Sequence, residues 1–198
     1  MEEKHFSIVV RPAKHVIDAV ADLKNLLART GNFGSRNAEA HITVLEFFAR
    51  DEQLPAIYRC MREFAALSPN YMYRFDHVAS FPEMNTRENG ILYLAPNSNS
   101  AARLTELSST FHERFPLKGK VRAIPSGNPH ITIGRRLRQS RLDEALELFS
   151  SLNLDMKFEA TLALRVKGVN VAEQFQLVTE FAFSGAPHDN VGFNSAVG

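Results

Sequence analysis

The chain contains a single cysteine, Cys60, which excludes an intrachain disulfide and fits a reducing compartment. Cys60 sits among Ile57, Met61 and Phe64 in a segment of helical periodicity, where a buried and inert thiol is expected. No apolar run approaches the ~20 residues that a membrane span requires. The start, Met1-Glu2-Glu3-Lys4, lacks the basic residues and apolar stretch of a secretory signal. A cytoplasmic location without a membrane partner is the expectation. Surplus charge is missing too: 23 basic against 22 acidic residues leave a net charge of +1. That is too little for the broad field with which a protein grips long nucleic acid nonspecifically. No DNA partner is expected, and any RNA contact should be local. No close-spaced Cys/His or carboxylate cluster offers the three or four ligands of a metal site, so a site without metal or cofactor is expected.

What is present is an ordinary globular composition. Hydrophobic residues make up 44% and charged residues 23% of 198 positions, enough to build a sizeable core. One unit over residues 1–198 is expected, a monomer, with a loose tail over 185–198 that is rich in Gly, Asn and Ala.

One tetrapeptide pattern occurs twice: His41-Ile42-Thr43-Val44 and His130-Ile131-Thr132-Ile133. In a strand, the His and Thr of each copy share one face while the aliphatic residues take the other. One such copy is most often a structural accident, its histidine a satisfied polar residue. Two copies in equivalent surroundings point to a two-histidine site, with His41, His130, Thr43 and Thr132 as its candidates.

The surroundings are indeed equivalent. His5 to Val10 reads as a strand, and Val16, Ile17, Val20, Leu23, Leu26 and Leu27 follow with helical spacing. The first His/Thr strand spans about Ala40 to Phe48. A helix over Leu54 to Leu67 and strands over Tyr71 to Ser80 and Ile91 to Leu94 come next, with Asn89-Gly90 as the turn between them. The second half repeats the order: helix Ser100 to Phe115, strand His130 to Arg135, helix Arg141 to Leu152, then strands Leu154 to Val166 and Gln174 to Phe183. The predicted fold class is α+β. Two similar lobes, each an antiparallel sheet flanked by helices, are related by a pseudo-twofold around a central cleft. That twofold would set the two His/Thr faces across a shared groove.

With one His-x-Thr strand per lobe, the chain resembles the 2H phosphoesterase superfamily, and within it the bacterial proteins named for 2′-5′ RNA ligase activity. Pro129-His130-Ile131-Thr132-Ile133-Gly134-Arg135 is similar to that group's Pro-His-x-Thr-hydrophobic-small-Arg signature. Phe81-Pro82 ahead of Gly90-Ile91-Leu92-Tyr93-Leu94 resembles the segment between its two motifs. The resemblance implies paired four-stranded antiparallel sheets, no metal, and action on 2′,3′-cyclic phosphates or related RNA ends. Arg135 is carried over as a substrate-binding candidate, although strand alternation sets it on the face away from His130 unless the strand bulges.

The chemistry suits the residues. Opening a cyclic phosphodiester needs a base for the attacking water and an acid for the departing ribose oxygen, and two histidines can divide these tasks near neutral pH. Thr43 and Thr132 would donate to the nonbridging oxygens. Phe81 and Tyr93 are candidates to stack on a nucleobase, with core packing as the alternative. His5 is placed to face the groove from a neighbouring strand. Two readings stay open. One is a cyclic phosphodiesterase acting on a small nucleotide or RNA terminus, with 2′-5′ ligation as the same reaction using an RNA 5′-hydroxyl. The other is a nucleotide or RNA-end binding module with little catalysis.

Overall fold

Ile8, Val9 and Val10 are fully buried in succession, the mark of a strand covered on both faces. Their strand, β1 (Lys4–Pro12), lies in the middle of a five-stranded antiparallel sheet. The structure, a computed structural model, describes residues 2–83, 86–168 and 174–186. The five-stranded sheet has the order β5-β2-β1-β8-β9, with β2 (Ile42–Ala49), β5 (Ala123–Pro125), β8 (Ala160–Lys167) and β9 (Phe175–Ala182). A four-stranded antiparallel sheet has the order β6-β4-β3-β7, with β3 (Tyr73–Glu83), β4 (Thr86–Pro96), β6 (Ile131–Arg138) and β7 (Met156–Phe158).

Two antiparallel sheets flanked by helices agree with the expected class, but the first has five strands rather than four. The short β5 adds itself beside β2, in a segment whose three residues carry no readable alternation. The sheets also do not divide the chain at its middle. Strands β8 and β9 from the C-terminal half join β1 and β2, while β3 and β4 from the N-terminal half join β6. The run expected as one strand over 154–166 is the crossing point. Glu159 separates β7, paired with β3, from β8, paired with β1.

Four amphipathic helices cover the sheets. Helix α1 (Lys14–Ala28) buries Val16, Val20, Leu23 and Leu27, one stripe at helical spacing, and lies against β6. Helix α2 (Leu54–Leu67), opened by Pro55 in its first turn, covers β8 and β9. Helix α3 (Ser98–Arg114) is capped by the Asn97 side chain, which accepts from the Ser100 amide at 2.9 Å, and touches β2, β3 and β4. Helix α4 (Gln139–Ser150) packs on β3, β4 and β6. Core residues of both sheets and all four helices form one continuous cluster.

Two glycines record close approach. Asn89-Gly90 is not the expected turn; both residues lie within β4, opposite Arg138 and Leu137. A Cβ on Gly90 would stand 2.6 Å from Leu142 Cδ2, so this glycine admits α4 to the sheet. Residues 84–85, which join β3 to β4 in sequence, lie outside the described residues, as does the expected tail from 187 onward. A Cβ on Gly134 would stand 2.6 Å from Leu27 Cδ2 and 3.3 Å from Phe33 and Leu137. Gly134→Val should therefore push α1 off β6 and destabilise the fold by about 1–3 kcal/mol. Thermal or urea unfolding reads this, and a variant as stable as wild type would contradict the packing of α1 on β6.

Candidate active site

Both His/Thr strands carry a β-bulge at the same place. Ile8 pairs with Leu45 and Val9 with Thr43, which makes Val44 the extra residue. Leu92 pairs with Gly134 and Tyr93 with Thr132, which makes Ile133 the extra residue. Val44 and Leu45 thus both turn into the core, and the residues beyond resume on the His/Thr face. On the first strand Glu46 and Phe48 return to that face, opposite Ser7 and His5. On the second, Arg135 occupies the position equivalent to Glu46. Simple alternation would have put Arg135 on the far side, and the bulge removes that objection; its charge bears on His130.

Reciprocal pairing draws the two motifs together. The segment leading to His130 runs along the first motif strand: Glu46 faces Ile124, Leu45 faces Pro125, and the Ser126 amide donates to the Val44 carbonyl at 3.1 Å. Four residues later comes His130, within about 14 Å of chain. The segment leading to His41 does the converse. Gly34 exchanges two backbone hydrogen bonds with Arg135, at 2.8 and 3.1 Å. Thr43 and Pro129 consequently line one small pocket.

The imidazoles are held in matching frames. His41 Nδ1 lies 2.7 Å from the Glu39 carbonyl and His130 Nδ1 lies 2.8 Å from the Asn128 carbonyl, each two residues upstream. A carbonyl oxygen only accepts, so Nδ1 carries the proton in both rings and Nε2 is left for a substrate. Burial, joined by the charge of Arg165 and then of Lys24 and His130, pushes His41 down to about 3. Burial, with the charge of Arg135, also lowers His130. Both rings are therefore neutral at pH 7.

The walls differ. Around His130 stand the two aromatic candidates, Phe81 at 5.2 Å and Tyr93 at 5.3 Å between ring centroids, themselves 4.8 Å apart. Around His41 stand cations that sequence reading missed. Lys24 is 3% exposed, donates to the Ser35 and Ala38 carbonyls and is pushed down to about 8 by burial and by Arg165. Arg165 is 4% exposed and pushed down to about 10 by burial. The available signal was a lone arginine in the apolar run Ala160 to Val166. His5 shares this face: its Nε2 lies 3.0 Å from Glu46 Oε2, and its ring stacks on Phe48 at 4.6 Å.

The other described histidines lie elsewhere: His15 bonds the Lys157 carbonyl, His77 bonds Asp76, and His112 sits in α3, while His188 is outside the described residues. Cys60 is half-buried rather than buried, donates weakly to the Arg114 carbonyl, and is raised by burial. Among the described residues no three His, Cys, Asp or Glu side chains are grouped to hold a metal ion, and no helix is long and apolar enough to cross a membrane.

The low pKa of His41 has a consequence for stability. Between about pH 6.5 and 3 the unfolded chain binds a proton at this residue that the folded chain refuses, so stability falls as the pH drops through that window and is unaffected above it. The melting temperature of His41→Gln, which carries no titrating group there, should decline less than that of wild type from pH 7 to 4.5. Parallel declines would contradict a neutral, desolvated His41.

A family model described as the 2′-5′ RNA ligase superfamily matches residues 11–171. The fold is similar to that of E. coli LigT complexed with NADP+ (TM-score 0.61, 12% identity, 92% of this chain and 99% of that one). It is also similar to TT0787 of Thermus thermophilus (TM-score 0.60, 16% identity, 91% and 98%) and to E. coli LigT complexed with ATP (TM-score 0.55, 12% identity, 92% and 99%). No curated protein matches the chain. With the match covering most of its length, the chain belongs to the 2′-5′ RNA ligase superfamily of 2H phosphoesterases.

Proposed function

We propose that the chain hydrolyses 2′,3′-cyclic phosphates of nucleotides or RNA ends without a metal, using His41 and His130 as base and acid. The carrying observation is the matched pair of Nδ1 hydrogen bonds, which leaves two Nε2 atoms for one substrate. Family membership supports phosphoester chemistry, and the complexes of LigT with NADP+ and with ATP support a nucleotide as ligand.

The surrounding charges divide the roles. His41, beside Arg165 and Lys24, is the more strongly neutralised ring and takes the proton of the attacking water. His130, lowered by burial and by the single cation Arg135, takes a proton when the anionic phosphodiester binds, and passes it to the departing ribose oxygen. Thr43 and Thr132, half-buried on the same faces, donate to the nonbridging oxygens where charge gathers. Phe81 and Tyr93 receive the base or ribose beside His130. With an RNA 5′-hydroxyl in place of water, the same two proton transfers form a 2′-5′ bond.

Hydrolysis of the four nucleoside 2′,3′-cyclic monophosphates in EDTA tests the reading. Alanine at either histidine should cut kcat by roughly 10² to 10⁴, the usual worth of one acid or base. Wild-type binding of these nucleotides with no turnover would favour a binding module instead. The division of roles has its own test, a phosphodiester with a nitrophenyl leaving group, which departs without a proton. His130→Ala should regain most of its lost rate on that substrate and His41→Ala should not; the opposite rescue would reverse the assignment. Thr43→Val and Thr132→Val should each lose roughly a hundredfold in kcat, with serine largely retaining it.

A further inference from the structure

Two side chains on the His41 wall are buried with hydrogen-bonding capacity unused. Ser7 is 1% exposed and Arg165 is 4% exposed, and Ser7 Oγ, Arg165 Nε and Arg165 Nη1 have no hydrogen-bond partner. The two residues are directly paired across β1 and β8, so their side chains leave the sheet on the same face, which is the face of Thr43 and Glu46. A guanidinium withdrawn from water with donors unpaired is costly, and a structure retains it where something else accepts from it.

Neighbouring carboxylates are not that acceptor. Glu39 holds Arg11 through both oxygens, at 2.8 and 3.2 Å. Glu46 is engaged with His5 at 3.0 Å, and Glu180 with Arg11 and Thr161 at 3.2 Å each. Glu39 and Glu46 favour the charge of Arg165 through space without bonding Nε or Nη1. The guanidinium carbon lies 5.0 Å from the centroid of the Phe175 ring, a cation–π contact that supports the charge without accepting a hydrogen bond from Nε or Nη1. A guanidinium with unpaired donors beside an unpaired hydroxyl suits an oxyanion such as a phosphate, a group that arginine binds through charge-assisted hydrogen bonds.

The scissile phosphate does not need these donors. It lies between the histidines, with Thr43 on β2 and Thr132 on β6 as its hydroxyls. Ser7 and Arg165 stand one and two strands away from β2, about 5 and 10 Å at the backbone. We propose that Ser7 and Arg165 form a second phosphate subsite on the His41 side of the cleft. Its occupant is a phosphate monoester or diester on the 5′-oxygen of the same nucleotide whose other phosphate sits between His41 and His130. This rests on the cyclic-phosphate reading above. It narrows the substrate to a nucleotide phosphorylated at both ends of the ribose, as at the end of an RNA strand.

Calorimetric titration with a nucleoside 3′-monophosphate and with the corresponding 3′,5′-bisphosphate tests the subsite without requiring turnover. Wild type should bind the bisphosphate at least roughly tenfold more tightly, the worth of a charge-assisted hydrogen bond. In Arg165→Gln the ratio of the two affinities should fall to near one, and in Ser7→Ala it should fall severalfold. Ser7→Ala removes only a hydroxyl, so it decides the matter if melting curves show Arg165→Gln unfolded. Equal affinities in wild type, or a ratio that survives in the folded variants, would overturn the subsite. If wild type also hydrolyses nucleoside 2′,3′-cyclic monophosphates, that result leaves the cyclic phosphodiesterase standing and removes the subsite alone. Binding of neither nucleotide together with no hydrolysis would remove both.

Discussion

The site depends on an exchange of backbone hydrogen bonds. The chain approaching each histidine pairs with the strand that carries the other: Gly34 with Arg135, and the Ala123–Pro125 strand and Ser126 with β2. Neither motif can move without pulling on the other. Because each histidine stands one residue ahead of its strand, its ring is aimed by that approach segment, through the carbonyl two residues upstream. Backbone pairing therefore fixes the relation between two imidazoles that are distant in sequence, and no side-chain contact between them is needed. Preorganisation of this kind is what proton transfer in both directions demands.

Duplication alone would give two equal histidines, and equal histidines make a poor acid and base pair. The matched bulges at Val44 and Ile133 make the two strands alike in backbone, while the side chains around them differ. Each bulge returns the following residue to the cleft, where one strand presents Glu46 and the other Arg135. Beyond them, one wall holds Arg165 and Lys24 and the other holds Phe81 and Tyr93. Symmetric backbone with asymmetric walls pulls the two pKa values apart, which is the condition for dividing labour between like groups.

Much of this was legible in the sequence because the motif repeats a period-two pattern, and period two determines which face a side chain takes. The two antiparallel sheets and the four helices followed from that pattern and its surroundings, and the half-buried Thr43 and Thr132 lie on the faces it assigns them. Three features escaped for physical reasons. Bulges add a residue without a compositional mark, so Arg135 looked misplaced. Gly90 looked like a turn because a glycine that admits a helix and a glycine that bends a chain are the same letter. Arg165 lay inside an apolar strand, where its burial depends on β1 and β9 on either side and so on long-range pairing.

The charges that keep His41 neutral also prepare the site for an anion. Arg165 and Lys24 disfavour an imidazolium beside them, which preserves the free Nε2 lone pair of His41. An anion that enters is attracted by those same cations and offsets their field, and a negative phosphodiester between the rings favours a proton on one of them. The proton should settle on His130, where one cation opposes it rather than two and where burial is the chief remaining obstacle. In the proposed reaction the charge of the substrate thus supplies the condition for an acid. A neutral ligand of the same shape would find two bases and no acid, so under the proposed reaction a preference for phosphodiesters would reside in protonation as much as in contact.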